Sequence, residues 1–325
     1  MVDEADTKPH HAPTPVVLRP IARTMRLGAA PQPTARDVAT IRRWASVLDR
    51  YTTLFSPEVA GVDNLPETGP VLLVGNHSLY WVAEGWVTAR AVFGRRGIDA
   101  PMCGLAYDLL FAVPWLGRQL RRSGVIPAAS GEAETALAHG ELVMVYPGGD
   151  LDACRVWSQR DRVELGGRRG FVRLALRTGA PVVPVVAHGG QHMVVVLARG
   201  DRFARALRLP NLRINVFPIL AGPPFGVVSI LTPPLPLPAA ITVQFLPALD
   251  WSRYGPEAVD DPAVVDACYS EVTTVMQAAM DRLAAEHPHP VTTGITRLIT
   301  APLRARGGDG KQHLPAALRT HEDQG

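Results

Sequence analysis

Three short, unbroken apolar runs most constrain what this chain can fold into: GPVLLVGNH at 69–77, ELVMVYPGG at 141–149 and APVVPVVAHGG at 180–190. Each is bounded by turn-forming residues and lacks the polar alternation of a strand with one wet face. Such runs suit strands buried on both sides, as in a parallel sheet. Helical segments are expected at about Glu84–Phe93, Gly131–Ala138 and Phe171–Thr178. Helices alternating with buried strands predict an α/β fold, with a mostly parallel central sheet flanked by helices and right-handed crossovers. Chemistry in such sheets gathers at the carboxyl ends of strands, which puts His77, Gly148-Gly149 and His188 on candidate rims.

Composition narrows the class. The chain has 325 residues, 47% of them hydrophobic and 19% charged, enough apolar material for a large core and too much for a disordered chain. No self-similar block of about 20 to 50 residues appears, which argues against a solenoid or propeller. The formal charge is +3, and every cation except Lys8 and Lys311 is arginine. No basic run interleaved with aromatics occurs, so no nucleic-acid partner is expected. Cys103, Cys154 and Cys268 are scattered, which fits a reducing compartment better than a disulfide framework. The first residues lack the basic and apolar regions of a signal peptide, and no run of about 18 apolar residues predicts a membrane span.

Residues 1–35 and 288–325 mix proline, histidine and charge without periodicity and are expected to be mobile tails, flanking an α/β domain at 57–287. Between them, 36–56 reads as an N-terminal amphipathic helix. Ile41, Trp44, Leu48, Tyr51 and Phe55 form one stripe, with Arg42, Arg43, Asp49 and Arg50 off it. That helix either packs on the domain or lies at an anionic membrane surface. Ile214–Leu249 contains eight prolines and no charged side chain, so it is either a buried irregular excursion or an exposed apolar surface for lipid. ITVQFLP reads as a further strand, and Val264–Glu286 as a closing helix.

Four groups of residues can carry chemistry. His77 follows a buried strand, and Glu84 lies seven residues on, where its carboxylate can fold back to accept Nδ1–H and support a general base. Ser78 adjoins His77 without any G-x-S-x-G, which disfavours a serine hydrolase. Gly148 and Gly149 allow close backbone approach to a ligand, with Asp150, Asp152 and Arg155 supplying charge. Arg168 and Arg169, among glycines at a helix start, make a phosphate cradle. His188 and His192 are separated by three residues, but two glycines break the helix a zinc pair needs and no third ligand is evident, so no metal is expected.

Taken together, GNHS at 75–78, GVIPA at 124–128, VYPGGD at 145–150, GRRGFVRLALRTGAPVVPVVAHG at 167–189 and RINVFP at 213–218 resemble the lysophospholipid and glycerolipid acyltransferase superfamily. The nearest likeness is to its bacterial branch with a PGG block, over roughly residues 55 to 285. The resemblance implies a glycerolipid acyltransferase-like α/β domain and an O-acyltransferase. A fatty acyl group would pass from acyl-CoA or an acyl-carrier protein, as co-substrate without further cofactor, to a hydroxyl of a glycerolipid or lysophospholipid-like acceptor. His77 takes the place of the family's base. The family's acid would fall at Val82, so the role passes to Glu84. Substrate binding falls to Asn76, Ser78, Gly148, Gly149, Asp150, Arg155, Arg168 and Arg169. Peripheral contact with the cytoplasmic side of a membrane is expected on substrate grounds. The competing expectations are a catalytically lapsed lipid-binding or acyl-chain-binding protein, and a thioesterase or lipid hydrolase.

Overall fold

A computed structural model of the chain describes residues 36–307 apart from 81 and 130. The expected tail at 1–35 lies outside the described residues.

The three apolar runs form the middle of a seven-stranded sheet. In chain order its strands are β1 (Glu58–Ala60), β2 (Val71–Gly75), β3 (Met102–Ala106), β4 (Val125–Pro127), β5 (Leu142–Val145), β6 (Val182–His188) and, late in the chain, β10 (Thr242–Phe245). Their spatial order is β1-β10-β6-β2-β5-β3-β4. All neighbours are parallel except β10 and β6, so β1 and β10 run against the other five. The fold is thus a mostly parallel α/β sheet, as the alternation of runs and helices requires.

Burial on both faces explains the missing polar alternation. Leu72 and Val74 of β2 face one core with Phe171 and Val172 of α6 (Gly170–Thr178) and Val272 and Met276 of α8 (Pro262–Glu286). Val71 and Leu73 face the other, with Val87 and Ala91 of α2 (Val82–Arg96) and Phe245 of β10. Successive side chains point to opposite sides of a strand, so a run apolar at every position is what a two-sided core selects. Each fully buried Val or Leu contributes about 1.5 to 3 kcal/mol.

Helix α1 (Val38–Thr53) is capped by Asp37, whose carboxylate accepts from Ala39 N–H at 3.0 Å. It packs on the domain: Ile41 is buried, and Asp49 accepts from Trp86 Nε1 at 2.7 Å and pairs with Arg90 at 3.1 Å, both on α2. Trp44 and Val47 face outward.

Two expectations change. The tail expected at 288–325 is instead helical over Pro290–Gly307, labelled α9, and its remainder, 308–325, lies outside the described residues. Its close fit to the domain is visible at Gly294, where a Cβ would stand 1.6 Å from the Pro238 carbonyl oxygen. Proline and histidine at 288–290 mark a helix start rather than a lasting break, since proline is tolerated in the first turn. The charge-free stretch carries β8 (Ile219–Gly222) and β9 (Gly226–Ser229), a hairpin that joins β7 (Val195–Ala198) in a small antiparallel sheet. Its tip and exit expose Phe225, Val227, Leu231 and Leu235. Among the described residues, no helix is long and apolar enough to cross a membrane.

Candidate active site

His77 sits where β2 ends, in a loop held on three sides. On one side, Asn76 is buried and pairs with the backbone of Ala187 in β6. Its Nδ2 donates to the carbonyl and its Oδ1 accepts from the N–H, both at 2.9 Å. On the second, Asp152 accepts the His77 backbone N–H at 2.6 Å. On the third, Gln191 donates to the His77 carbonyl at 2.9 Å and to the Asp152 carbonyl at 2.8 Å.

Asp152 belongs to α5 (Gly149–Ala153), the short helix that follows the Pro-Gly-Gly turn. Gly148 allows that turn to close. A Cβ there would meet the Glu164 carbonyl oxygen at 2.0 Å and Asp152 Cβ at 2.3 Å. Asp152 also accepts from Glu164 N–H at 3.3 Å and pairs with Arg155, both charged side chains being fully buried. Tyr146 meets the His77 ring edge-on, with centroids 5.3 Å apart at 88°. Gly75 makes room for it: a Cβ would stand 2.6 Å from the Tyr146 ring.

The His77 ring contacts the Ser78 carbonyl through Nδ1 at 3.1 Å. A carbonyl only accepts, so Nδ1 carries the proton and Nε2 keeps its lone pair, the tautomer a general base requires. Burial, with the nearby Arg155 and Arg168 charges adding to it, lowers the His77 pKa to about 4. The imidazole is therefore neutral at physiological pH.

Glu84 does not touch His77. Its buried carboxylate accepts from the Ser78 N–H and, at 3.1 Å, from the Ser78 hydroxyl. The expected Nδ1–carboxylate bond is thereby corrected. The first turn of α2 aims Glu84 at the residue after the histidine, the same residue whose carbonyl meets His77 Nδ1. Burial pushes the Glu84 pKa up to about 7, against the pull of the Ser78 bonds and Arg155. Gly190 completes this corner, since a Cβ there would stand 2.1 Å from Glu84 Oε2.

The structure gathers most of the expected residues and reassigns several. Asn76 and Ser78 are buried in loop-holding bonds rather than presented to substrate, because a loop between two parallel strands needs its backbone polar groups satisfied. Arg155, expected to bind substrate, is a buried counter-charge to Asp152. Asp150 accepts from Arg168 Nη2 at 2.8 Å and from the Asn215 side chain at 3.0 Å, linking the turn to the 213–218 block. Arg168 also donates to the Pro147 carbonyl at 3.2 Å and lies over Gly149, whose φ is +54°. Arg169 leaves the site: it pairs with Asp266 on α8 and lies 4.9 Å from the Tyr269 ring centre. Tyr146 and Gln191 are the contributors that spacing did not single out, while Asp152, expected to supply charge beside the glycine turn, instead anchors the His77 backbone.

Beside this loop, His188 and His192 meet Asp161, brought there by the loop after Trp157–Gln159. His192 Nε2 lies 3.0 Å and His188 Nε2 3.5 Å from Asp161 Oδ1. Burial pushes the Asp161 carboxyl up, but the two histidines outweigh it and hold it well below the usual range.

Residues 56–188 match the family model described as Acyltransferase. An uncharacterized protein of Mycobacterium tuberculosis is 32% identical over 235 residues, covering 72% of this chain and 63% of that protein, so the match spans less than two thirds of the relative. The human "DGAT1/2-independent enzyme synthesizing storage lipids" is 25% identical over 189 residues, 58% of this chain and 56% of that protein. Among solved structures, the 1-acyl-sn-glycerophosphate acyltransferase PlsC of Thermotoga maritima aligns with a TM-score of 0.45 at 19% identity, over 75% of this chain and 80% of that one. The match to the Acyltransferase family model spans β2, the His77 loop, the Pro-Gly-Gly turn and β6.

Proposed function

We propose that this protein transfers a fatty acyl group from a thioester donor, acyl-CoA or acyl-carrier protein, to the hydroxyl of a lipid acceptor. His77 Nε2 acts as the general base. The observation that carries the reading is the neutral His77 ring, its Nδ1 committed to the Ser78 carbonyl and its Nε2 without a hydrogen-bond partner among the described residues. The acceptor O–H gives its proton to Nε2 as the oxygen attacks the thioester carbonyl. The tetrahedral intermediate then expels the thiolate, which takes up a proton, so no acyl-enzyme forms. Among glycerolipid-type acceptors, an uncharged alcohol fits better than a phosphate. Each arginine expected to bind substrate, the Arg168–Arg169 phosphate cradle included, has a carboxylate partner: Arg155 with Asp152, Arg168 with Asp150, Arg169 with Asp266. The storage lipids named for the human relative accord with that. Purified protein incubated with acyl-CoA or acyl-carrier protein and a panel of diacylglycerol, long-chain alcohol and lysophosphatidate tests this. Ester formation with the uncharged alcohols is expected. Thioester-dependent transfer only to the phosphate-bearing acceptor would overturn the acceptor assignment, and hydrolysis to free fatty acid alone would overturn transfer itself.

A second reading, a lipid binder without turnover, draws on one observation: the Nδ1 partner is a carbonyl rather than a carboxylate. Glu84→Gln separates the two. Gln supplies one acceptor oxygen where the carboxylate supplies two, so Ser78 loses one partner. Turnover is expected to fall about 10- to 100-fold while lipid binding persists. A parent protein that binds lipid but shows no transfer in the panel would favour the binder.

The pH dependence follows with its sign. A folded pKa of about 4 against an ordinary 6.5 keeps His77 unprotonated down to low pH, so the acid limb of kcat/KM is expected near pH 4. For stability, that depressed pKa contributes above pH 6.5 and is lost as pH falls through 4. Glu84, raised from 4.5 to about 7, acts oppositely, its contribution complete below 4.5 and lost as pH rises through 7. Glu84→Gln should therefore steepen acid destabilisation between pH 6.5 and 4.5, read by denaturant midpoints across that range. An unchanged slope counts against the Glu84 shift.

We also propose peripheral membrane contact through the β8–β9 hairpin. Its exposed Phe225, Val227, Leu231 and Leu235 lie in a stretch without charge, and Pro234 accepts a hydrogen bond from Tyr80, three residues past His77. Leu79 packs between that sheet and the α5 end. The apolar surface thus joins the catalytic loop directly. Phe225→Ser with Leu231→Ser is expected to weaken vesicle flotation by roughly a hundredfold or more, given roughly 1.5 to 3 kcal/mol per inserted side chain. Equal flotation of variant and parent would exclude the hairpin as the contact.

A further inference from the structure

The cluster of His188, His192 and Asp161 lies outside the proposed acyl-transfer chemistry. One donor atom from each residue lies within 4.8 Å of the others. His188 is 2% exposed and His192 5%, while the Asp161 side chain is 30% exposed, so the group is buried on the imidazole side and reachable from the carboxylate side. His188 is poorly satisfied for so buried a group. Its Nδ1 has no hydrogen-bond partner, and its Nε2 stands 3.5 Å from Asp161 Oδ1, too far for a good bond.

The carboxylate is held in place from behind. Arg160 faces the other oxygen, Oδ2, at 3.6 Å. Gln277 on α8 donates to the Asp161 carbonyl at 3.1 Å and accepts from Val163 N–H at 2.8 Å. Oδ1 is thereby left to the two histidines. Two imidazole nitrogens and one carboxylate oxygen converging on one point form the borderline donor set that zinc takes at about 2.0 to 2.2 Å. A cation between them would give His188 Nε2 a closer partner than the carboxylate oxygen at 3.5 Å, and needs only a small closure of the three side chains.

We propose that His188, His192 and Asp161 bind a divalent transition-metal ion of the zinc class, with an open fourth position toward solvent on the Asp161 side. The glycines between the histidines do not prevent it. The two ligands come from a strand end and a short turn at Gly190–Met193 rather than from one helix, and the third comes from a separate loop. The ion would fasten the end of β6 to the 157–163 loop. Gln191, lying between the two histidines, carries that fixation to the His77 and Asp152 carbonyls. The site is a positioning element for the His77 loop and takes no part in proton transfer.

The test uses the untagged full chain, stripped with chelator, dialysed and titrated with zinc chloride. Bound metal is measured by elemental analysis after gel filtration, and Co²⁺ substitution is read by visible absorption. About one zinc per chain is expected, with tetrahedral-type Co²⁺ bands, and with affinity weakened at least about tenfold in Asp161→Asn, His192→Ala and His188→Gln. His139→Ala, at an exposed histidine, should bind like the parent. Wild-type protein that retains no stoichiometric zinc overturns the proposal, as does full uptake by the three ligand variants. Circular dichroism verifies that each variant is folded. Should one be unfolded, the wild-type Co²⁺ spectrum decides, because an octahedral, aquo-like spectrum also overturns the site.

Discussion

His77→Ala is expected to reduce acyl transfer by about 10² to 10⁴, the range that a positioned general base contributes. The fold should survive the change. Among the described residues, the ring's hydrogen bond is to the Ser78 carbonyl and its ring contact is the Tyr146 edge, and the backbone N–H that Asp152 holds remains in alanine. Transfer from acyl-CoA to an alcohol acceptor, with melting and circular dichroism as controls, measures both halves of the expectation. Near-wild-type turnover in a folded variant would remove His77 from the mechanism. A pH profile sharpens the result: residual activity in the variant should lose the acid limb near pH 4 that the parent shows.

Asp152→Ala is expected to be the most damaging single change to stability around the site. Asp152 ties three parts of the chain: the His77 loop, the 164 backbone and the buried Arg155 guanidinium. Removing one partner of a fully buried ion pair leaves the other uncompensated, which costs about 3 to 5 kcal/mol. Activity should fall as well, because the His77 backbone loses its anchor. Denaturant unfolding of the variant gives the stability loss directly. A loss under about 1 kcal/mol would show that Arg155 finds water or another acceptor and that Asp152 holds little together. Asp152→Asn keeps acceptor oxygen for the backbone N–H groups while removing the charge. An intermediate loss is expected from it, separating the ion pair from the loop anchor.

The fold class was legible because both causes are local. A strand buried on two faces must be apolar at every position, and helices alternating with such strands leave few topologies. His77 was legible for the same reason, since a histidine just past a buried strand falls on the rim where parallel sheets gather their chemistry. The helix from residue 290 was not, because proline and histidine at its start read as a break, and its stability comes from docking against the 238–240 backbone.

Side-chain partners were the part that spacing could not supply. Glu84 stands at the right distance along the chain to meet His77, yet the pitch of α2 aims it at Ser78. Arg155 and Arg169 read as substrate-binding cations beside the glycine turns. One is instead buried against Asp152, and the other is drawn to Asp266, 97 residues away. Asp161 could not be paired with His188 and His192 from sequence, since 31 residues separate it from His192 and only the packing of α8 against the loop brings them together.

By itself, then, the sequence determined the two-sided sheet, the rim histidine, the glycine turn beside it and the charge-free stretch, because each depends on residue type and short-range periodicity. Only the tertiary structure decided which carboxylate holds which group, which tautomer His77 adopts, and that the charge-free stretch carries a hairpin standing on the His77 loop. Those outcomes depend on directions and distances between elements far apart in the chain, set by how the two cores close on the sheet.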